Sequence, residues 1–255
     1  MSKKPTIRPD YADVKTLGIP RALLYYRYST LWKTFFADLG VTLVESDETD
    51  RAMVERGESL SVDECCLAFK IYMGHVDNLV GRCDAIFIPA YSNLGDRHSF
   101  CSKFQSLTDL VSNIYHREIR IVSCMIEEIV AGRSMKEAFE ILAQRFGVSA
   151  KQAKKIVKHA MEEQEKADQD AALAQKQALA QAKPATGKAA KPRILVVAHP
   201  YVTADPYLGG TILTALETCG AQVFLAHESD HNACYKASLS FTETMPWQVN
   251  RELIG

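Results

Sequence analysis

Short unbroken apolar runs alternate along the first half of the chain with longer stretches in which apolar residues recur at helical spacing. Thr16-Leu17-Gly18-Ile19-Pro20 reads as a short strand ending in a turn, and Ala22 to Leu39 carries the apolar residues of a helix stopped by Gly40. Val41 to Val44 is the next strand. A short helix around Asp50 to Arg56 ends at Gly57, and a further helix runs from Val62 to about Val80. Ala85-Ile86-Phe87-Ile88-Pro89 is a continuous apolar run of buried-strand type, and Ile119 to Val122 is another. Strands and helices alternating in this way predict a parallel sheet covered on both faces. Ligands of such sheets bind beyond the carboxyl ends of the strands. The turn Pro20-Arg21, the loop Tyr91 to Cys101 and Cys124 each follow a predicted strand directly, so they are expected to share one rim, which Cys66 joins from the start of its helix.

The pattern changes at Ser149. From there to about Ala182 the chain is Ala, Lys, Glu and Gln with few large apolar residues, a composition that predicts a solvated helix of about 50 Å. Lys183-Pro184-Ala185-Thr186-Gly187-Lys188 breaks it as a flexible linker. A second α/β unit opens with the strand Arg193 to Ala198, leading into His199-Pro200-Tyr201. Asp205 and Pro206 form an N-cap and N1 pair for a helix ending at Gly220, and Val223-Phe224-Leu225 is a second strand. The expected organisation is an N-terminal α/β lobe over residues 1–148, a charged spacer helix and linker over 149–192, and a partial second α/β lobe over 193–255. Two parallel strands with a helix or two do not bury a core of their own. This unit is therefore expected to come from a truncated chain or a split gene, or to pack on the first lobe or on a partner.

Composition narrows the function classes. The 255 residues contain 30 Lys and Arg against 31 Asp and Glu, which gives no reason to expect nucleic acid or an anionic membrane as partner. No window approaches the ~20 apolar residues of a membrane-spanning helix, and no apolar stretch follows Lys3-Lys4, so a cytoplasmic location is expected. Seven cysteines without a C-x-x-C repeat argue against a disulfide framework. Cys83, Cys219 and Cys234 read as small buried hydrophobes.

The remaining cysteines carry the chemistry. Ser61-Val62-Asp63-Glu64-Cys65-Cys66 and Cys101-Ser102-Lys103-Phe104-Gln105 each contain a serine followed three residues later by Glu or Gln, a capping box with Ser61 and Ser102 as N-caps. That places thiols in or just before a first helical turn, where free N–H groups and the positive end of the macrodipole favour thiolate, the form that binds metal or attacks. Cys65 and Cys66 lie about 100° apart on a helix. Cys65 shares a stripe with Phe69, Tyr72, Met73, Val76 and Val80, the face expected in the core, which leaves Cys66 as the ligand candidate. Cys101 ends a loop rich in polar residues (Ser92, Asn93, Asp96, Arg97, His98). Two thiolates rarely complete a site, since zinc takes four ligands and an iron-sulfur cubane typically four cysteines. Cys124 is the natural third candidate, with His98, His75 and His199 as weaker ones.

Leu17-Gly18-Ile19-Pro20-Arg21-Ala22-Leu23, Trp32 to Phe36, Val62-Asp63-Glu64-Cys65-Cys66-Leu67 with Lys70 and Gly74-His75-Val76, and Cys101 to Gln105 with Asp109-Leu110 together resemble the acyl-CoA dehydratase activase-related family. That family is in turn similar to the iron-sulfur subunits of 2-hydroxyacyl-CoA dehydratases and benzoyl-CoA reductases. His199-Pro200-Tyr201 with Asp205-Pro206-Tyr207 matches the start of the family's second half. The resemblance implies flavodoxin-like lobes with a 4Fe-4S cluster between them, bound by Cys66 and Cys101, and an actin-like ATPase activator as electron donor. The family's further cysteine lies beyond Gly255. The resemblance therefore leaves three possibilities: a chain completing the second lobe supplies that ligand, Cys124 substitutes, or the chain is an accessory module without a cluster. No Gly-x-x-x-x-Gly-Lys sequence is present, so ATP hydrolysis is not expected of this chain itself.

Overall fold

The structure, a computed structural model, describes residues 7–8, 10–96, 98–116, 118–182 and 191–255. Arg97 of the polar loop and the linker Lys183 to Lys188 lie outside the described residues. The N-terminal lobe runs β1 (Thr16–Ile19), α1 (Tyr25–Asp38), β2 (Thr42–Glu45), α2 (Arg51–Ser59), α3 (Leu67–Leu79), β3 (Ala85–Phe87), β4 (Ala90–Asn93), α4 (Ser102–Ile114), β5 (Ile121–Val122), β6 (Met125–Glu127) and α5 (Met135–Arg145). Four strands form a parallel sheet in the order β2-β1-β3-β5. The pairing continues past β3 and β5, because Ile86, Ile88 and Ala90 donate in turn to the carbonyls of Arg120, Val122 and Cys124, each at 2.9 Å. Pro89 has no N–H to give and sits where none is needed. With β4 and β6 read as extensions of β3 and β5, the order is that of the first four strands of a flavodoxin-like sheet, with its switch point between β1 and β3.

The pleat sends alternate side chains into two cores. Leu17, Ile19, Phe87 and Val122 face one side, against Phe35 and Phe36 of α1 and Phe139 of α5. Ile86 and Ile88 face the other, against Phe69, Met73, Val76 and Leu79 of α3 and Leu107 and Val111 of α4. Helix α1 stops at Gly40 as expected, with φ at +75°. Helix α2 does not stop at Gly57 but runs through it to Ser59, because that glycine is needed for contact with a neighbour. A Cβ there would stand 1.9 Å from the Lys70 carbonyl, and one on Gly74 would stand 2.2 Å from that of Met53, so α2 and α3 cross backbone to backbone.

Helix α6 (Ala150–Gln181) opens with a full capping box between Ser149 and Gln152. It is not solvated on every face. Ala153, Val157 and Ala160 are buried in the α1 and α5 core, and Gln164 accepts from the Leu31 amide at 3.0 Å. Further along, Gln175 accepts from the Leu225 amide at 2.8 Å, so the helix ties the first lobe to the second unit. That unit contains β7 (Arg193–Val196), α7 (Pro200–Thr203), α8 (Gly210–Thr218), β8 (Gln222–Leu225), α9 (His231–Ser238) and α10 (Gln248–Ile254). Strands β7 and β8 pair in parallel. Asp205 caps a turn ahead of α8 rather than the helix itself, which starts at Gly210. No described helix is long and apolar enough to cross a membrane.

Candidate functional site

Both cysteine motifs lie at helix starts, but the first helix begins five residues later than predicted and the second one residue earlier. The N-caps are Cys66 and Cys101 themselves rather than Ser61 and Ser102. The Cys66 carbonyl accepts from the amides of Phe69 and Lys70 at 3.0 and 3.1 Å, and that of Cys101 from Phe104 at 2.9 Å. Ser61 is spent elsewhere: its hydroxyl donates back to the Gly57 carbonyl at 2.8 Å and closes α2, so the chain turns once more before α3 begins. Both thiols are exposed. Cys65 is buried among Phe69, Tyr72, Met73 and Val76, as its stripe predicts, although it lies in the turn before the helix. Val80, the last member of that stripe, is 43% exposed because α3 has ended by then.

The second unit delivers a tyrosine to this rim. Tyr201, in the single turn of α7, packs on the α3 and α4 core and shares a cavity wall with Phe104. Its phenol is pushed up to about 12, mainly by burial and to a smaller extent by Cys66 and Cys101. Its ring stacks on His199 with centroids 4.9 Å apart. A cavity of about 240 Å³ opens here, lined by Phe100, Cys101, Phe104, His199, Tyr201 and Trp247 among others. Leu23, on the same cavity wall, takes φ of +52°, a left-handed conformation that disfavours a residue with a Cβ. Lys103 places its Nζ 3.6 Å from the Cys65 Sγ and 5.5 Å over the Phe69 ring.

Other candidates are placed away from this site. Cys124 does not end a strand at the rim; it lies inside the paired run between β5 and β6 and lines a separate cavity with Arg133 and Arg145. Burial pushes its thiol up to about 12. His75 is fully buried, with Nδ1 2.7 Å from the Ser46 hydroxyl and Nε2 3.0 Å from that of Thr49. Burial lowers it to about 4, which makes it a neutral structural residue with no nitrogen free for a metal. His98 bonds to Gln248 and stacks on Tyr235. Arg21 reaches Glu48 at 3.6 Å. Of the cysteines read as buried, Cys83 and Cys234 are half-buried and Cys219 is exposed. Among the described residues no group of three or more His, Cys, Asp or Glu is arranged to hold a metal ion.

Sequence reading overlooked Ser46 and Thr49, and it took Asp205 for a local cap only. Two hydroxyl residues just beyond the end of β2 were the available signal.

A parallel sheet with paired cysteines at its rim defines an α/β protein with a thiol-bearing site. The family model described as the CoA enzyme activase uncharacterised domain matches residues 16–228, so this chain belongs to that activase-related family. No curated protein and no solved structure matches it.

Proposed function

We propose that the chain is a redox component of a CoA-enzyme activation system, in which Cys66 and Cys101 bind a 4Fe-4S cluster that exchanges single electrons with an actin-like ATPase activator on behalf of a dehydratase. The observation that carries this reading is the placement of both exposed thiols as helix N-caps on one rim, with Cys101 lining a cavity shared with Tyr201. The donors present suit a cluster in kind but supply two of the roughly four thiolates it takes. The remaining ligands are assigned to a partner chain that covers the exposed face of the second unit. Leu195 of β7, Val197 just beyond it and Ile212 of α8 support this, because all three are more than half exposed, whereas the strands of parallel sheets are ordinarily covered. When bound, such a cluster supplies a low-potential one-electron carrier.

Anaerobic reconstitution with iron and sulfide tests the reading. Bound iron in the wild-type chain, lost in Cys66→Ser and in Cys101→Ser but kept in Cys124→Ser, is expected. The absence of a third ligand among the described residues favours a second reading, an accessory module that binds no cluster. A wild-type chain that takes up no iron, with or without its partner, selects it.

A further inference from the structure

Four buried polar residues join the second unit to the first lobe: Ser46, Thr49, His75 and Asp205. Asp205 Oδ1 accepts from the amides of Tyr207 and Leu208 at 2.8 and 3.1 Å. Its Oδ2 accepts from the Thr49 hydroxyl and, at 3.4 Å, from the Tyr26 hydroxyl. The direction of the remaining bonds follows. Thr49 gives its proton to Asp205, so its oxygen is free to accept from His75 Nε2, 3.0 Å away. His75, neutral through burial, then carries its single proton on Nε2, and Nδ1 accepts from the Ser46 hydroxyl at 2.7 Å. Ser46 in turn accepts from the Arg21 amide at 2.8 Å, at the end of β1. Every donor in the chain points toward Asp205, and no member is left unsatisfied.

Asp205 lies four residues beyond Tyr201 in the turn that follows α7. We propose that Asp205 is a positioning residue: its bonds to Thr49 and Tyr26 latch the second unit to the first lobe and hold Tyr201 against Cys66 and Cys101, so that the thiol site is composed of both units. This assignment goes beyond the cluster reading and stands whether or not iron binds.

The test uses the iron-free full chain carrying Tyr201→Cys and a short thiol–thiol cross-linker, with the joined peptides identified by mass spectrometry. Cross-linking of position 201 to Cys66 or Cys101 is expected. Asp205→Asn keeps the Oδ1 cap but turns Oδ2 into a donor facing two hydroxyls, and Thr49→Val removes the same bond from the other side. Each is expected to lower the yield several-fold, and Thr49→Ser to retain it. No cross-link in the Tyr201→Cys chain, or a yield that neither Asp205→Asn nor Thr49→Val changes, would overturn the proposal. So would faster labelling of half-buried Cys124 in both variants than in the parent chain, because the bond would then be supporting the whole fold rather than a local latch.

Discussion

Arg27 on α1 and Glu252 on α10 meet at 2.9 Å between Nε and Oε2, with both side chains nearly out of water. The same guanidinium reaches Asp168 of α6 at 2.9 Å, so one cation joins the first lobe, the long helix and the second unit. Removing one partner of a buried pair leaves the other charge unpaired and costs about 3–5 kcal/mol. Arg27→Met is therefore expected to lower the denaturant midpoint by a corresponding amount. A second change, Glu252→Gln, should recover part of the loss.

The buried histidine makes stability depend on pH. His75 sits at about 4 in the folded chain against an ordinary value of 6.5. The unfolded chain thus binds the extra proton first as pH falls. The contribution is present in full above pH 6.5 and is lost progressively down to about 4, a loss of about 3 kcal/mol. His227, lowered to about 4 by burial, acts in the same direction, while His159, raised by Asp38, opposes it. Thermal melts between pH 7 and pH 4 should show the decline, and His75→Gln should flatten part of it.

The crossing of α2 and α3 leaves no room for a methyl group at either glycine. Gly57→Ala and Gly74→Ala should each cost ~1–3 kcal/mol or more. Since α3 carries Cys66 at its start, both should also disturb the cysteine site, which can be read as a change in Cys66 alkylation relative to exposed Cys219.

Thiol chemistry should sort the cysteines by environment. Cys124, half-buried and held at about 12, is expected to resist iodoacetamide at mildly alkaline pH, while exposed Cys66 and Cys101 are modified. Peptide mass spectrometry over a time course reads this directly. Early modification of Cys124 would contradict its place inside the β5–β6 run.

The strands of the first lobe were legible because Thr16 to Ile19 and Ala85 to Ile88 are short apolar runs bounded by turn residues, a local signal. The cysteine positions were legible too, but the caps were not. Ser61 has the sequence context of an N-cap, and a local bond back to the Gly57 carbonyl, at the end of α2, takes its hydroxyl instead. Gly57 is a helix stop by propensity and becomes a helix interior because α3 approaches so closely. Strands β4 and β6 were missed for a related reason: Tyr91 to Asn93 is polar enough to read as loop, and its pairing partner lies more than thirty residues away. The Asp205 relay joins residues between 26 and 156 positions apart, so no local pattern could have shown it.

The central claim, that Cys66 and Cys101 hold an iron-sulfur cluster, is tested most directly by EPR of the anaerobically reconstituted and reduced protein. The account predicts a reduced-cluster signal in the wild-type chain and in Cys124→Ser that disappears in Cys66→Ser and in Cys101→Ser. A signal that survives both of those substitutions, or a wild-type chain that gives none even with its partner present, would contradict it.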